Sequence, residues 1–475
     1  MNTIKESFIF QFLITIISKI ENMIKNSWIY SLLTKETSKP KENGFFLNIL
    51  YSLIGVLRKV FNFLKLNIVF KDSIFAKTEI WIGLTVAMAP ILSTMQMLLL
   101  VLFTTMSFVI KICMDENFKF TYTPLNTWVI VFALIYLFSG IISLDMMSSI
   151  KIAMLVISFM MFYFVIVNSI TTKKQLKIML NIFVIVGALV SLLGIYQYLF
   201  AGSFASSSFV DKEMFEDIKT RVNGTFDNPN VMGEYLLFVI PIIASLFFSE
   251  KGWMKKIFYM GLGGVSIICL ALTYSRGCYL GILLALAVFL LLINLKWIIA
   301  FILGVIAAPA FLPQSIINRF SSIGNMADSS TSYRVSIWKG AIDMIKDYWY
   351  RPIGQGTTAF NSIYPLYSYS GVGAQHSHNL FLQLLIETGI VGIISFLGII
   401  YKFFQTVLCG LKKAKDALYK YCFIGFASGM LGFLLQSIFD NTWYNNKIIL
   451  IFWIFVALAA TTRNFSDMEV ECEKN

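Results

Sequence analysis

The stretch "WIGLTVAMAPILSTMQMLLLVLFTTMSFVI" (Trp81–Ile110) contains no charged residue. A helix needs about 20 apolar residues to cross a bilayer, so this stretch is long enough for more than one helix. Ala89-Pro90 favours a turn within it, because proline tends to end a helix at the preceding residue. We therefore predict two short membrane helices, near 78–92 and 94–112.

The rest of the chain has the same character. Of its 475 residues, 57% are hydrophobic and 13% are charged, whereas a soluble domain has about 25% charged residues. The composition therefore predicts an integral membrane protein. The net charge of +12 indicates orientation in a membrane rather than nucleic-acid binding. The six cysteines are scattered without a CxxC pair, which predicts neither a disulfide framework nor a metal cage.

Apolar runs of about 17–25 residues predict an all-α protein with about twelve transmembrane helices. These lie near 78–92, 94–112, 125–143, 149–168, 177–200, 231–249, 257–274, 277–293, 296–313, 378–401, 420–438 and 447–462. Before them, residues 1–76 are repeatedly interrupted by polar residues, and "LRKVFNFLKL" (Leu57–Leu66) spaces its charges like a helix lying on a membrane. We predict a cytoplasmic or interfacial region over 1–76 and a polytopic membrane domain over 77–475.

Lysine-rich turns predict the orientation, because short cytoplasmic loops are enriched in positive charge. The turns contain Lys173, Lys174 and Lys177; Lys251, Lys255 and Lys256; and Lys402, Lys412, Lys413, Lys415 and Lys420. With twelve spans, all of them lie on the cytoplasmic side with both termini. The outer side then has two long loops, at about 201–230 and 314–377. Loops of this length are usually functional or disordered.

Arginine follows a different distribution from lysine. Five of the seven arginines fall on the predicted outer side, namely Arg221, Arg276, Arg319, Arg334 and Arg351. The planar guanidinium binds phosphate oxygens in pairs and stays charged, so an outer cluster beside lipid indicates a lipid-linked phosphate. The alternative is that these side chains reach ordinary lipid headgroups. We favour that alternative for Arg319 and Arg351.

Local sequence distinguishes the other three arginines. Arg221 precedes Asn228-Pro229, which predicts a helix N-cap followed by proline at the first helical position; the motif could serve helix initiation alone or present an anion site. Arg276 lies in a very short outer turn, where a charge needs a partner. Arg334 falls with Trp338 on the apolar face of a predicted amphipathic helix, whose apolar stripe is Ile337, Trp338, Ala341, Ile342 and Ile345 and whose cap is Ser or Thr near 330–332.

The two histidines of the chain, His376 and His378, end the second long loop. Asn379, Gln383 and Glu387 follow at helical spacing on one face of the next span. Glu387 is either functional or a buried hydrogen-bond partner. A histidine near the arginines suits a general base, because its ordinary pKa is near 6.5. Zinc is disfavoured because two histidines alone do not complete a site. Gly354-x-Gly356 is interpreted as a turn, since a nucleotide loop would need strand–turn–helix context.

Together these motifs resemble the bacterial O-antigen ligase and polymerase superfamily over about 184–462. The resemblance rests on "RVNGTFDNPN" (Arg221–Asn230), "TYSRG" (Thr273–Gly277), "YRVSIWKGAIDMIKDYWYRPIGQG" (Tyr333–Gly356) and "HSHNLFLQLLIETGIVG" (His376–Gly392). The last fits a family pattern of His-Asn, nine residues, Gly, two residues and Gly. That spacing selects His378 as the family histidine.

The resemblance implies a metal-independent, cofactor-free glycosyltransferase of a bacterial cytoplasmic membrane, with its active site on the extracytoplasmic face. Such enzymes transfer a glycan from a polyprenyl diphosphate carrier to a hydroxyl of a glycan, lipid or protein acceptor. By resemblance, His378 is the general base, Arg221 and Arg276 bind the diphosphate, and Arg334 helps them. We predict His376, Asn379 and Glu387 as supporting residues, and His376 could either orient its neighbour or face the acceptor. The motifs do not separate ligases from polymerases. A flippase for lipid-linked sugars and a structural membrane protein are the remaining alternatives, although the charges cluster at one face rather than at the midplane.

Overall fold

The computed structural model of the chain describes residues 15, 18–19, 22–23, 26–35, 45–71, 73–200, 215, 218, 220–326 and 328–472. Most of these residues are helical, and none of them forms a strand. The helices are α1 (Trp28–Leu33), α2 (Phe45–Phe63), α3 (Leu66–Phe70), α4 (Thr78–Met88), α5 (Thr94–Met114), α6 (Asn126–Ile141), α7 (Met146–Ser169), α8 (Lys173–Phe200), α9 (Pro229–Ser249), α10 (Trp253–Leu272), α11 (Arg276–Ile293), α12 (Trp297–Ala307), α13 (Gln314–Ser321), α14 (Ser329–Tyr348), α15 (Gly356–Ile363), α16 (Leu380–Lys413), α17 (Ala417–Phe439) and α18 (Asn446–Cys472). Short 3₁₀ turns lie at Ile74–Ala76, Ala308–Ala310, Tyr364–Leu366, Tyr369–Gly371 and Thr442–Tyr444.

The prediction of an all-α membrane protein is confirmed. Within the described ranges, nine helices are long and apolar enough to cross a membrane, and each coincides with a predicted span. The other three predicted spans fall on α4, α6 and α12, which are shorter. The chain bends by 115° between α12 with its following turn and α13, so this pair could be one broken span. The structure therefore gives nine to ten candidate spans, and a total of twelve stays a prediction.

The predicted break at Ala89-Pro90 is present. Helix α4 ends at Met88, and α5 begins at Thr94. Ser93 precedes α5 in a capping box, in which the Gln96 side chain accepts a hydrogen bond from the Ser93 backbone N–H at 3.0 Å. Proline thus ends one helix, and a local cap starts the next.

The chain divides into two compact units. The first comprises residues 1–36, 191–333 and 403–439, and the second comprises residues 37–190, 334–402 and 440–475. In the first unit, α9, α11 and α17 pack together closely. A Cβ atom at Gly281 of α11 would lie 2.8 Å from the carbonyl oxygen of Gly432 in α17. Only glycine permits this approach of two helix backbones, which packs α17 against α11, the helix that Arg276 begins.

The second unit contains the amphipathic helix α14 and the helix α16 on which it packs. Ile337, Ala341 and Met344 of α14 are buried in one cluster with Ile386 of α16, as the predicted stripe requires. Ile342, which we had placed on that stripe, is instead 48% exposed. The predicted Ser or Thr cap is also wrong: Asp328 accepts hydrogen bonds from the N–H and O–H groups of Thr331, at 2.9 and 2.7 Å.

The family glycine Gly389 marks a break inside α16. Its φ of +68° is left-handed, which glycine adopts without a Cβ penalty. The break brings the next peptide N–H to the end of α14, where Ile390 donates to the Trp349 carbonyl at 2.8 Å. The Gly389 position therefore fixes α14 against the helix that follows the histidines.

The described part of the N-terminal region contains the amphipathic helix α2. Its buried residues Ile54 and Phe61 contrast with the exposed Val56 and Phe63. Arg58 donates to the Ile112 and Asp115 carbonyls at the end of α5, at 3.2 and 2.6 Å. An interfacial position for residues 1–76 stays a prediction, and residues 1–14 lie outside the described ranges.

Candidate active site

The loop before α16 presents the two histidines. His378 has φ of +48°, in the left-handed region. The indole N–H of Trp338 donates to the His378 carbonyl at 3.2 Å, and the N–H of Ser377 donates to the Gln383 side chain at 2.8 Å. Asn379 accepts from the N–H of Leu382 at 2.9 Å, so it caps the start of α16. The loop is thus held by side chains of α14 and α16.

Asp440 is the principal partner of His378. It directly follows α17, and its Oδ1 lies 2.9 Å from Nδ1 of His378. The guanidinium of Arg334 lies 3.3 Å from its Oδ2. Burial raises the pKa of Asp440, but the charges of Arg334 and His378 outweigh burial and hold the pKa well below its usual range. An ionised Asp440 orients His378 with the proton on Nδ1, so that Nε2 has the lone pair.

His376 has a different environment. Its Nδ1 accepts a hydrogen bond from the backbone N–H of His378 at 3.2 Å, and its side chain is buried. Burial, followed in effect by the charge of His378, lowers the pKa of His376 from 6.5 to about 4. The side chain of His378 is more accessible, at 23% exposed. A general-base role for His378, the histidine that the sequence spacing selects, stays a prediction.

Two predicted arginines lie in the first unit, around the turn that joins α10 to α11. Arg221 is buried and donates to the Thr273 carbonyl and to Oδ1 of Asn230, both at 2.7 Å. Arg276 begins α11 and is also buried; it donates to Asp328 at 2.5 Å and to Ser322 at 3.2 Å. Both side chains are thus held at one turn by oxygen acceptors, and Arg276 has the partner that its position required.

Arg319 belongs to the same cluster. It donates to the Tyr274 carbonyl at 3.2 Å, lies 3.9 Å from Asp328, and stacks over the ring of Phe215 at 4.5 Å. It is 7% exposed. Our expectation that Arg319 reaches lipid headgroups is therefore wrong. Among the residues that the structure describes, this cluster contains three guanidinium groups and one buried carboxylate, so these four groups together have a positive net charge.

The predicted helix start next to Arg221 is confirmed. The Asn228 side chain accepts from the N–H of Asn230 at 2.8 Å, and Pro229 is the first residue of α9. This cap places Asn230 where its own side chain contacts Arg221. The motif therefore serves helix initiation and also fixes Arg221, and an anion site at this helix start stays a prediction.

Glu387 is a buried hydrogen-bond partner. It accepts from the Gln383 side chain at 2.9 Å and from the backbone N–H of Gly356 at 3.2 Å. Gly354 and Gly356 both have positive φ, so Gly354-x-Gly356 is a turn, as expected. These contacts join the turn to α16 about two helical turns below the histidines. Glu387 supports the loop geometry, and a direct chemical role for it is not needed.

The histidine cluster also offers donors for a metal ion. Within the ranges that the structure describes, ligand atoms of His376, His378 and Asp440 lie within 4.8 Å of one another. We had disfavoured zinc because the sequence offered only two histidines, and Asp440 adds a third donor. However, both Asp440 and His378 already participate in the 2.9 Å bond, and the nearby Arg334 charge repels a dication. The donor number fits a metal, but the local charge opposes one.

Sequence reasoning missed Asp440 and Asp328. Each is separated by long stretches of chain from the residue that it contacts, by 62 residues for Asp440 and His378 and by 52 for Asp328 and Arg276. One signal for Asp440 was present, because it is an acidic residue at the end of a predicted span, in a short turn that the sequence places on the outer side. Asp328 had no comparable signal within the long loop predicted at 314–377.

Comparison with known proteins identifies one family. Residues 261–397 match the family model described as O-Antigen ligase. The matched region includes Arg276, Arg334, His376 and His378, whereas Arg221 and Asp440 lie outside it. No curated protein matches the chain. The match confirms the resemblance to the O-antigen ligase and polymerase superfamily.

Proposed function

We propose that this chain, whose residues 261–397 match the O-Antigen ligase family model, transfers an oligo- or polysaccharide from a polyprenyl diphosphate carrier to an acceptor hydroxyl. The reaction serves surface polysaccharide synthesis at the extracytoplasmic face of a bacterial cytoplasmic membrane. The observation that supports it most directly is the 2.9 Å contact between His378 and Asp440. A hydroxyl nucleophile needs a base, and an aspartate-oriented imidazole supplies one.

In the proposed step, Nε2 of His378 accepts the proton of the acceptor hydroxyl. The hydroxyl oxygen forms a bond to the anomeric carbon of the donor glycan, and the bond from that carbon to the diphosphate oxygen breaks. Polyprenyl diphosphate leaves with the electron pair. Asp440 stabilises the imidazolium that forms, because its negative charge lies against Nδ1.

The departing diphosphate needs fixed positive charge, which lowers the barrier most in a site with little water. We assign this role to Arg221 and Arg276, with a smaller contribution from Arg334. Both guanidinium groups are buried, and the neutral oxygen acceptors of Thr273 and Asn230 already orient Arg221. Preorganised guanidinium groups stabilise charge without having to reorganise during the reaction. The reaction as proposed needs neither a metal nor a cofactor.

Asp328 competes with a phosphate for Arg276, since it lies 2.5 Å from that guanidinium. Burial raises the pKa of Asp328, but hydrogen bonds from Thr331 and Arg276 outweigh burial, so the net shift is downward and the carboxylate stays ionised. Asp328→Asn removes a negative charge, which has the same sign as the donor phosphate, from the proposed donor site. It also leaves the buried Arg276 without its carboxylate in the donor-free protein, which costs about 3–5 kcal/mol. We therefore expect the KM for the donor to fall about threefold to tenfold, together with a lower thermal midpoint without donor.

Transfer kinetics against donor concentration measure this effect, with Asp347→Asn as the control because Asp347 is an exposed acid that bonds to Tyr367. A higher donor KM in Asp328→Asn would show that Asp328 holds Arg276 in place for the donor rather than competing with it.

The related polymerase activity, in which the acceptor is a second carrier-linked chain, is the nearest alternative. The two activities share the chemistry at His378 and differ in the acceptor. A lipid-linked sugar flippase is the alternative from another class. It would need no general base, so the His378–Asp440 pair favours the transferase.

The test is a transfer assay in membranes that receive polyprenyl-diphosphate-linked oligosaccharide, with and without EDTA. We expect transfer to proceed in EDTA at an undiminished rate. A single addition to a different acceptor identifies a ligase, and a ladder of carrier-linked products identifies a polymerase. Translocation of the donor without transfer would support the flippase. Twelve spans, cytoplasmic termini and an extracytoplasmic site belong to this proposal, and accessibility of cysteine substitutes to an impermeant label checks them.

A further inference from the structure

The backbone of His378 adopts a conformation that needs support. Its φ of +48° lies in the left-handed region, where a residue with a side chain is strained and stays only if its surroundings hold it. Histidine tolerates this region better than most residues. The conformation matters because it directs the ring of His378, whose Nδ1 lies 2.9 Å from Asp440.

His376 provides the contact that opposes relaxation of this backbone. Its Nδ1 accepts the backbone N–H of His378 at 3.2 Å, in the same way that Asx side chains accept from the residue two positions later. The opposite end of the His378 residue is held by Trp338, whose indole donates to its carbonyl at 3.2 Å. Both backbone polar groups of His378 thus bond to aromatic side chains.

The ring of His376 is itself fixed. It lies 4.1 Å from the ring of His378 and 4.5 Å from the ring of Tyr444, measured between centroids. The hydroxyl of Tyr444 donates to Gln375 at 3.1 Å, which fixes that ring in turn. His376 is 9% exposed. An acceptor at Nδ1 requires that this nitrogen carry no proton, and burial keeps the ring neutral at physiological pH.

From these contacts we infer that His376 is a positioning residue, which holds the left-handed backbone of His378 and so directs its imidazole to Asp440. The inference rests on the proposed function for its catalytic consequence, although its structural part does not. His376 contacts neither donor nor acceptor in this role. Without its Nδ1, His378 can relax to negative φ, and its Nδ1 then moves away from Asp440.

Two substitutions of His376 separate the effect of its acceptor atom from the effect of its ring. His376→Asn keeps an oxygen acceptor for the His378 N–H but removes the ring, whereas His376→Phe keeps an aromatic ring but removes the acceptor. We expect His376→Phe to lower kcat about tenfold to a hundredfold, with the donor KM changed less than about twofold. His376→Asn should retain kcat within about fivefold of wild type. Equal loss in both variants, or full activity of His376→Phe, would overturn the inference.

A spectroscopic measurement makes the result independent of transfer activity. The chain has only two histidines, so ¹⁵N-histidine labelling with a histidine-free affinity tag reports on these two rings alone. We expect His378 as the Nδ1–H tautomer and His376 as the Nε2–H tautomer in the wild type. The single histidine of His376→Phe should lose its Nδ1–H preference, and that of His376→Asn should keep it. If His378 keeps its Nδ1–H preference in His376→Phe, the positioning role is refuted, even when the assay detects no transfer. If His378 loses this preference in His376→Phe but no form of the protein transfers glycan, the positioning role stands and only the proposed function is contradicted.

Discussion

Replacement of His378 by alanine is expected to reduce kcat for glycan transfer by about 10²–10⁴, the usual contribution of a general base. His378 is the histidine whose Nδ1 is bonded to an ionised carboxylate, so that Nε2 can accept a proton. The donor KM should change less than about threefold, because in the proposed mechanism the arginines bind the diphosphate. Initial rates with saturating acceptor, at matched protein levels in membranes, measure the effect.

Chemical rescue separates loss of the base from loss of the fold. The His378 side chain is 23% exposed, so the cavity left by alanine is open to a small base. Added imidazole should restore a part of the rate in His378→Ala and leave the wild type unchanged. Asp347→Asn, at an exposed acid on α14, is the control for outer-surface charge. Normal transfer by His378→Ala would show that the base lies elsewhere.

The sequence analysis predicted those parts of the structure that depend on neighbouring residues. Nine predicted spans coincide with helices, because a continuous apolar run needs no information from distant residues. The Asn228-Pro229 cap and the break at Pro90 are local for the same reason. The total of twelve spans stays a prediction, because hydropathy does not reveal where an apolar run bends, as the 115° change of direction before α13 shows.

The sequence analysis predicted residues of the candidate site, but it did not predict which residues bond to them. His378 and Arg276 were both identified, and each is bonded to a carboxylate that the sequence analysis did not find. A hydropathy pattern locates Asp440 at a span end, but it does not show which loop that span end meets. Arg334 illustrates the same gap, since its place on an apolar helix face was explained only by its contact with Asp440.

Arg276 and Arg334 have different environments, so we expect their substitution to have different kinetic effects. Arg276 is paired with the buried carboxylate of Asp328, which a phosphate of the donor would replace. Changes at this pair should therefore alter the affinity for the donor. Arg334 lies beside the base dyad, 3.3 Å from Asp440, and its side chain is 20% exposed. Replacement of Arg334 by glutamine should therefore raise the donor KM with a loss in kcat of about tenfold or less, because its pairing with Asp440 is partly solvated.

Asp440→Asn is expected to lower kcat by about 10²–10³, the second largest effect. Asparagine keeps the shape and one oxygen but loses the charge, so the imidazolium that forms on His378 is no longer stabilised. The donor KM should change little. Arg334→Gln provides the matched comparison, because it removes the other partner of Asp440: an equal loss of kcat in both variants would attribute the effect to the ion pair rather than to the base.

A double variant decides whether Asp440 acts through His378. Residues that act as one unit have strongly non-additive effects, so Asp440→Asn should reduce the residual rate of His378→Ala by less than about twofold. The four rates of wild type, the two single variants and the double variant give this coupling directly. Additive losses would mean that Asp440 contributes independently, for example by holding Arg334 for the diphosphate. Strong coupling would show that this buried carboxylate acts by orienting the base. Asp440 would then have this role although it lies directly after α17, 62 residues along the chain from the histidine that it contacts.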